Sequence, residues 1–195
     1  MASSESVGAL LPHGFLPAGV VLPAHVAPKL LAEAKTRTYN GVFNRVGGGD
    51  DEYRWQSRVA DKAMLDSVLA LKTGLQVLVA MIHPGWVPNT FSFMRSDPGG
   101  IDQEPHQDYT TSDIERFQAE HPGGVPGSMI FALQAGTRLR VFEGCFDARD
   151  ENKATIVTVP TEFCVLFRGD LIHSGVAYEE TNYRIHCYLT YEGVQ

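Results

Sequence analysis

A series of short runs rich in β-branched and aromatic residues follows Trp86 and constrains the fold more than any other feature of the sequence. Turn residues (Gly, Pro and Asp) separate these runs, and this spacing is typical of an antiparallel sandwich or barrel. The runs are "NTFSFMRS", "GSMIFALQ", "TRLRVFEG", "KATIVTVP", "FCVLFRG" and "YRIHCYLTY".

The part of the chain before Trp86 has a different pattern. "PAHVAPKLLAEAKTR" is rich in helix formers, and "SRVADKAMLDSVLALKTGLQVLVAMI" places Leu65, Val68 and Leu69 at i, i+3 and i+4, a helical stripe that would cover a core. Between these segments, "YNGVFNRVGGGDDEYRW" contains three consecutive glycines and an acidic pair, which predict a mobile loop. A second helical signal is "SDIERFQAEH", where Ser112 and Glu115 have the spacing of a capping box.

The length of 195 residues predicts a single domain, 1–195, because it leaves little room for two. Residues 1–86 are expected to be mainly helical support and loops, and residues 87–195 to form the strand-rich core. The fold class is therefore α+β, a barrel braced by N-terminal helices.

The charge of the chain bears on its partners. With 16 basic and 23 acidic residues, the formal net charge is −7, which gives no electrostatic footprint for phosphate backbones. Nucleic acid is therefore disfavoured as a partner without being excluded, and a small molecule or a protein side chain is favoured. The oligomeric state stays open.

Three features of the sequence indicate a cytoplasmic or nuclear protein. The three cysteines are odd in number and lack C-x-x-C spacing, so neither a disulfide framework nor a zinc ribbon is predicted. The segment "MASSESVGALLPHGFLPAGVVLP" has no basic start, and Pro12, His13 and Pro17 break its apolar run, which argues against a signal peptide. No apolar run is long enough to suggest a transmembrane span.

The stretch "QEPHQDY" places two metal-ligand types two residues apart, His106 and Asp108. Residues two apart on a β-strand project from the same face, so these side chains can bind one ion together. A third candidate is His173, which follows the near-continuous apolar run "FCVLFRGDLI". Two imidazoles and one carboxylate on one face of an ion are the ligands of non-haem Fe(II) oxygenases, where they leave the remaining positions open.

The last strand-like run alternates in character. Ile185, Cys187 and Leu189 share one face, and Arg184 lies on the other face with His186, Tyr188 and Thr190. Arg184 follows His173 by eleven residues (184 − 173), and an inward guanidinium there would bind a carboxylate through two parallel hydrogen bonds. His186 has two interpretations, a side chain of the cosubstrate pocket or a hydrogen-bonded interior histidine.

Through "EPHQDY", "GTRLRVFEG", "FRGDLIHSG" and "NYRIHC", the chain resembles the Fe(II)- and 2-oxoglutarate-dependent dioxygenases, over roughly 89–191. The resemblance implies a double-stranded β-helix, which is a jelly-roll or cupin-like barrel. It also implies that His106, Asp108 and His173 bind Fe(II), and that Arg184 binds the distal carboxylate of 2-oxoglutarate. Arg95 is a candidate for the other end of this cosubstrate or, alternatively, a solvated arginine at a strand end.

The same resemblance implies that O2 is a substrate and that ascorbate is the reductant. The spacing from His173 to Arg184 is similar to that of the phytanoyl-CoA hydroxylases and prolyl hydroxylases. Alkylated-nucleobase demethylases carry a second arginine six residues after the first, where this chain has Thr190. The expected reaction is hydroxylation, or demethylation driven by hydroxylation, of an unidentified substrate.

Three alternatives remain open at this stage: a cupin-type dioxygenase that needs no 2-oxoglutarate, an enzyme similar to the nucleobase demethylases, and an inactive barrel that serves as a binding module. Two segments are candidates for a loop that closes over the site, "GGGDDEYRW" and "TTSDIERFQAEHPGG".

Overall fold

The architecture consists of two antiparallel sheets and a layer of helices. A computed structural model describes residues 12–43, 46, 48–60 and 64–192. Residues 1–11, about half of the segment that lacks signal-peptide features, lie outside the described residues. The helices are α1 (Val26–Thr36), α2 (Asp66–Ile82) and α3 (Thr111–Glu120). The strands are β1 (Phe15–Gly19), β2 (Asn40–Phe43), β3 (Asp50–Arg58), β4 (Val87–Ser96), β5 (Gly127–Ala132), β6 (Thr137–Phe142), β7 (Ala154–Val159), β8 (Phe163–Arg168), β9 (His173–Gly175) and β10 (Asn182–Thr190).

The seven-stranded sheet has the order β1-β8-β5-β10-β4-β3-β2, and the three-stranded sheet has the order β7-β6-β9. All pairings within both sheets are antiparallel. This arrangement is an α+β double-stranded β-helix, as predicted. All six strand-like runs after Trp86 form strands, and the structure adds the short strand β9, which the sequence pattern did not reveal.

Two apolar cores lie on opposite faces of the larger sheet. The outer face packs against α1 and α2, and the inner face packs against the smaller sheet. Strand β10 contributes Ile185, Cys187 and Leu189 to the outer core, and each of these residues is at most 1% exposed. Because side chains alternate along a strand, Arg184 and His186 face the interior between the sheets. The predicted alternation of this strand is confirmed.

The expectation that residues 1–86 contain mainly helices and loops is wrong for three segments. β1, β2 and β3 all belong to the seven-stranded sheet, so that sheet takes strands from both parts of the chain. The predicted mobile loop "YNGVFNRVGGGDDEYRW" largely forms the β2–β3 hairpin, although residues 44, 45 and 47 lie outside the described part. A Cβ atom on Gly41 would lie 2.7 Å from the Cβ of Asp50, so the close strand approach requires glycine here.

The buried stripe of α2 differs from the predicted one. Only Val68 of the predicted trio is buried, whereas Leu65 is 55% exposed and Leu69 is 46% exposed. Leu65 is the N-cap residue with an extended backbone, so it lies outside the helical period. The side chains that pack against the sheet are Val68, Leu71, Leu75, Leu78, Val79 and Ile82. None of the helices in the described residues has the length and apolar character needed to cross a membrane.

The capping box of α3 lies two residues earlier than predicted. The Thr110 hydroxyl accepts a hydrogen bond from the Asp113 backbone N–H, and the Asp113 carboxylate accepts one from the Thr110 N–H. Ser112 and Glu115 therefore lie within the helix rather than at its cap. α3 forms from the second segment considered as a covering loop, and its closure over the site stays a prediction.

Candidate active site

The backbones of His106 and His173 pair directly. The His106 N–H donates to the His173 carbonyl at 2.9 Å, and the His173 N–H donates to the His106 carbonyl at 2.9 Å. His173 opens β9, which pairs with β6, so both histidines are fixed to the smaller sheet. This two-bond bridge holds the imidazoles side by side, with ring centroids 4.6 Å apart.

Each imidazole is oriented by a backbone carbonyl. His106 Nδ1 lies 2.9 Å from the Glu104 carbonyl oxygen, and His173 Nδ1 lies 2.9 Å from the Leu171 carbonyl oxygen. A carbonyl oxygen only accepts hydrogen bonds, so each Nδ1 carries the proton and each Nε2 keeps its lone pair. This tautomer suits a metal ligand, because the second ring nitrogen is held by a fixed acceptor.

The Asp108 carboxylate lies between two imidazoles. Its Oδ1 is 3.7 Å from His173 Nε2, and its Oδ2 is 3.4 Å from His186 Nε2. Ligand atoms of His106, Asp108 and His173 all lie within 4.8 Å of one another. The structure thus brings the three predicted residues together, in a cluster that one metal ion can bridge.

Charge in this cluster favours an anionic carboxylate beside a neutral imidazole. Burial raises the pKa of Asp108, but the neighbouring His173 and His186 lower it more, so the net pKa lies well below its usual range. Burial lowers the pKa of His173 to about 4, and the nearby Asp108 offsets only part of this effect. Asp108 is therefore ionised and His173 neutral at pH 7, and these are the protonation states that a metal ion requires.

Arg184 lies in the same cavity as the cluster and is only 6% exposed. Its Nη2 donates to the Ser96 hydroxyl at 3.0 Å, and its Cζ is 5.3 Å from the centre of the Tyr178 ring. Its Nη1 is buried with no hydrogen-bond partner, and no carboxylate in the described residues pairs with this guanidinium. A buried, unpaired cation is costly, so the geometry fits an anionic ligand that supplies the missing partner.

The cavity that contains these groups has a volume of about 130 Å³. Its wall combines apolar side chains from both sheets with several further polar groups. The apolar members include Phe43, Met94, Ile130 and Leu139, and the additional polar members are Arg54, Gln56, Gln103, Arg138 and Tyr188.

The position of Arg95 does not support its predicted role at the cosubstrate. Its neighbours in β4, Met94 and Ser96, face the cavity, so Arg95 projects from the opposite face. There its Nη2 pairs with Asp97 at 3.0 Å, and its guanidinium lies over two aromatic rings, those of Tyr39 and Trp55. The alternative interpretation, a solvated arginine at a strand end, holds only in part, since Arg95 lies near the end of β4 and away from the cavity but its side chain is only 28% exposed.

Two arginines of the cavity wall have contacts that the sequence patterns do not predict. Arg54 lies in the segment predicted as a loop, and it forms a buried ion pair with Asp51. Arg138 lies in "TRLRVFEG", where alternation alone places it opposite the inward Leu139 and suggests solvent. His186 was recognised with two interpretations, and its position 3.4 Å from Asp108 places it within the site.

Comparisons with known proteins identify the fold. No family model matches the chain, and no curated protein sequence matches it. Similar solved structures include the non-haem α-ketoglutarate-dependent epimerase SnoN from nogalamycin biosynthesis, with 14% identity over 95% of this chain and 82% of the other and a TM-score of 0.71. A prolyl-4-hydroxylase of Pseudomonas putida has 15% identity over 97% and 99% of the two chains, with a TM-score of 0.70.

A third similar structure is HygX of Streptomyces hygroscopicus, determined with nickel and 2-oxoglutarate bound. Its identity is 11% over 100% of this chain and 89% of the other, with a TM-score of 0.73. The protein therefore has the fold found in the Fe(II)- and 2-oxoglutarate-dependent oxygenases, as the resemblance around the H-x-D motif predicted.

Proposed function

We propose that this protein is a non-haem Fe(II) oxygenase that couples the oxidative decarboxylation of 2-oxoglutarate to the hydroxylation, or hydroxylation-driven demethylation, of an organic substrate. The observation that carries the proposal is the coincidence of two features in one cavity. One is a cluster of two histidines and one aspartate with a common focus, and the other is a buried arginine with an unpartnered N–H.

The donor set fits Fe(II). His106 and His173 would bind through Nε2, and Asp108 would bind through its carboxylate, which is the two-histidine, one-carboxylate set used for iron in oxygenases. Bound Fe(II) and 2-oxoglutarate would supply O2 activation, with succinate and carbon dioxide as coproducts. Ascorbate is the expected reductant that keeps the iron ferrous.

Arg184 would bind the distal carboxylate of 2-oxoglutarate. Ser96 fixes one arm of the guanidinium at 3.0 Å, which leaves Nη1 for a charged acceptor. A guanidinium presents its N–H groups in a planar fork that matches a carboxylate. Binding would relieve the unsatisfied donor and place the ligand in the cavity that contains the histidine–aspartate cluster.

Other side chains of the cavity prepare the site. His186 approaches Asp108 Oδ2 at 3.4 Å and can hold that oxygen in place by donating from Nε2. Met94, Ile130 and Leu139 make part of the wall apolar, which limits water around a reactive centre. The chain thus contributes positioning and exclusion of water, while the metal and cosubstrate carry the redox step.

Three alternatives explain fewer of these features. A cupin-type dioxygenase without 2-oxoglutarate assigns no ligand to the buried Nη1 of Arg184. A nucleobase demethylase is disfavoured by Thr190 at the position of the second arginine, and by the acidic net charge. An inactive binding module would leave the clustered polar groups of the cavity without use.

Binding and turnover of 2-oxoglutarate test the proposal. The wild-type protein with Fe(II) and 2-oxoglutarate, without O2, is expected to develop the weak visible absorption of the chelate. With O2 and ascorbate, it should release succinate slowly even when no prime substrate is present. Failure to bind 2-oxoglutarate in the presence of Fe(II) or Mn(II) would overturn the proposal.

Substitution of the cluster provides the matching test of the metal ligands. His106→Ala and Asp108→Ala should each weaken Mn(II) binding by about a hundredfold or more, because a three-ligand site loses its geometry with one ligand. His121→Ala is the control, since His121 lies at the end of α3 and not in the cavity. Isothermal titration that gives the same Mn(II) affinity for all four proteins would remove the ligand assignment.

A further inference from the structure

Arg138 lies in the wall of the cavity without a charged partner. It belongs to β6 of the smaller sheet, whereas Arg184 belongs to β10 of the larger one. Its Nη2 donates to the Ala177 carbonyl oxygen at 2.9 Å, and its guanidinium forms no ion pair with any described residue. Two donors of the guanidinium, Nε and Nη1, therefore remain available to a ligand.

Hydrogen bonds to Tyr178 also fix the backbone of Arg138. The Tyr178 hydroxyl accepts a hydrogen bond from the Arg138 N–H at 3.0 Å and donates one to the Arg138 carbonyl oxygen at 3.0 Å. The Tyr178 ring is 6% exposed and has the guanidinium of Arg138 at 5.5 Å and that of Arg184 at 5.3 Å. The two cationic groups, one from each sheet, are thus held near one ring.

The charges of the cavity residues, summed with those of the metal and 2-oxoglutarate, leave one positive charge in excess, on Arg138. Arg54 is neutralised by the buried Asp51, to which it is paired. Bound Fe(II) and the 2-oxoglutarate dianion would cancel each other in charge, and Asp108 offsets Arg184. Of the charged cavity residues in the described part of the chain, only the Arg138 cation is then left without a matching anion.

We propose that Arg138 binds an anionic group of the prime substrate, so that the substrate class is small organic acids with a carboxylate. This inference rests on the proposed function, because it takes 2-oxoglutarate and the metal as the other occupants of the cavity. A substrate carboxylate restores neutrality and receives the two free donors of the guanidinium. The cavity of about 130 Å³ would be shared with the metal and 2-oxoglutarate, which favours a compact acid.

The position of Arg138 also assigns it a role distinct from that of Arg184. Ser96 already directs one arm of Arg184, and the other arm has its unpartnered N–H for one carboxylate. Arg138 is anchored on the Ala177 carbonyl oxygen and lines the same cavity as Arg184, so a carboxylate that it binds there would share this cavity with the cosubstrate. A residue that orients substrate in this way restricts which C–H bond faces the metal.

The test uses acetate as the smallest carboxylate and acetamide as its neutral counterpart. The protein is loaded with Mn(II) and saturating 2-oxoglutarate, and the paramagnetic relaxation of the methyl protons of each probe is measured by NMR. Wild type is expected to give a saturable enhancement with acetate and an affinity for acetamide that is at least about tenfold weaker, since a charge-assisted pair is lost. Equal affinities for the two probes in wild type would overturn the inference without any variant.

Arg138→Gln should lower acetate affinity by about tenfold or more, to the level of acetamide, and Arg138→Lys should restore part of it. Arg140→Gln is the matched control, because Arg140 lies two residues further along β6 but is already paired with Asp102 at 2.7 Å. Unchanged acetate binding in Arg138→Gln would refute the assignment.

The affinity for 2-oxoglutarate separates this inference from the proposed function. Arg138→Gln is expected to bind 2-oxoglutarate as wild type does, and acetate binding should persist as the 2-oxoglutarate concentration is raised. A loss of 2-oxoglutarate affinity in Arg138→Gln, or displacement of acetate by 2-oxoglutarate, would assign Arg138 to the cosubstrate and overturn the inference alone. A wild-type protein that binds no 2-oxoglutarate with Mn(II) would overturn both proposals.

Discussion

The chemical properties of single residues in the cavity depend on their hydrogen-bond partners. His106 and His173 present Nε2 because backbone carbonyls hold Nδ1 at 2.9 Å in both cases. Arg184 is prepared for an anion because Ser96 satisfies one arm and leaves Nη1 buried without a partner. The H-x-D…H…R pattern specifies the residue types, and the surrounding structure orients the lone pairs of the histidines and the N–H donors of the arginine.

Arg184→Ala should weaken the binding of 2-oxoglutarate while leaving Mn(II) binding nearly unchanged. Loss of a buried charged partner costs about 3 kcal/mol, which is about a hundredfold in Kd. Arg184→Lys should recover only part of this loss, because a point charge does not reproduce the planar fork. The measurement is titration of 2-oxoglutarate into the Fe(II) protein without O2, followed by visible absorption. Equal affinity in wild type and Arg184→Ala would show that the arginine is structural.

At the scale of elements, packing decides which face of α2 is buried, because the sequence alone does not identify that face. Several faces of "DSVLALKTGLQVLVAMI" are apolar, so the period alone does not identify the buried one. The helix begins at Asp66 and packs on the outer face of the larger sheet, which buries Leu71 and leaves Leu69 at 46% exposure.

Leu71→Ala and Leu69→Ala form a matched pair that tests this assignment. Leu71 is 0% exposed, so its truncation should lower the free energy of unfolding by about 2–5 kcal/mol through lost burial and a residual cavity. Leu69→Ala should change it by no more than about 0.5 kcal/mol, as at other exposed positions. Urea unfolding followed by circular dichroism measures both values. A larger loss for Leu69→Ala than for Leu71→Ala would contradict the helix orientation.

At the scale of the whole molecule, the two parts of the chain are interdependent. β3 pairs with β4 from Arg54↔Ser96 to Arg58↔Ser92, and β1 pairs with β8 along its full length. α1 and α2 also cover the outer core of the larger sheet. The strand-rich segment 87–195 therefore lacks both a cover for one face and two strand partners when it is separated from 1–86.

The isolated segment 87–195 is accordingly expected not to fold cooperatively. Its outer face would expose Phe91, Phe93 and Cys187, which are all at most 1% exposed in the intact chain. Thermal and urea unfolding of this fragment should show no sharp transition, in contrast to the 195-residue chain under the same conditions. A fragment that unfolds cooperatively and binds Mn(II) would contradict this expectation and make 87–195 an independent unit.

The sequence by itself determined much of the barrel and the identity of the clustered residues. The six runs after Trp86 predicted strands correctly, because period-two alternation and turn residues are local properties. The alternation of β10 correctly placed Arg184 opposite Ile185. The spacing of His106, Asp108, His173 and Arg184 led to a fold resemblance that the comparisons with solved structures support.

Only the tertiary structure decided which faces look into the cavity and which distant segments meet. Alternation gives Arg95 and Met94 opposite faces, but only the packing of helices on the outer face shows that Arg95 points away from the cavity. In the same way, Arg138 appears solvated from its strand pattern until the segment around Tyr178 is placed against it. The backbone bridge between His106 and His173 joins positions far apart in the chain, and such pairing depends on long-range contacts that no local pattern encodes.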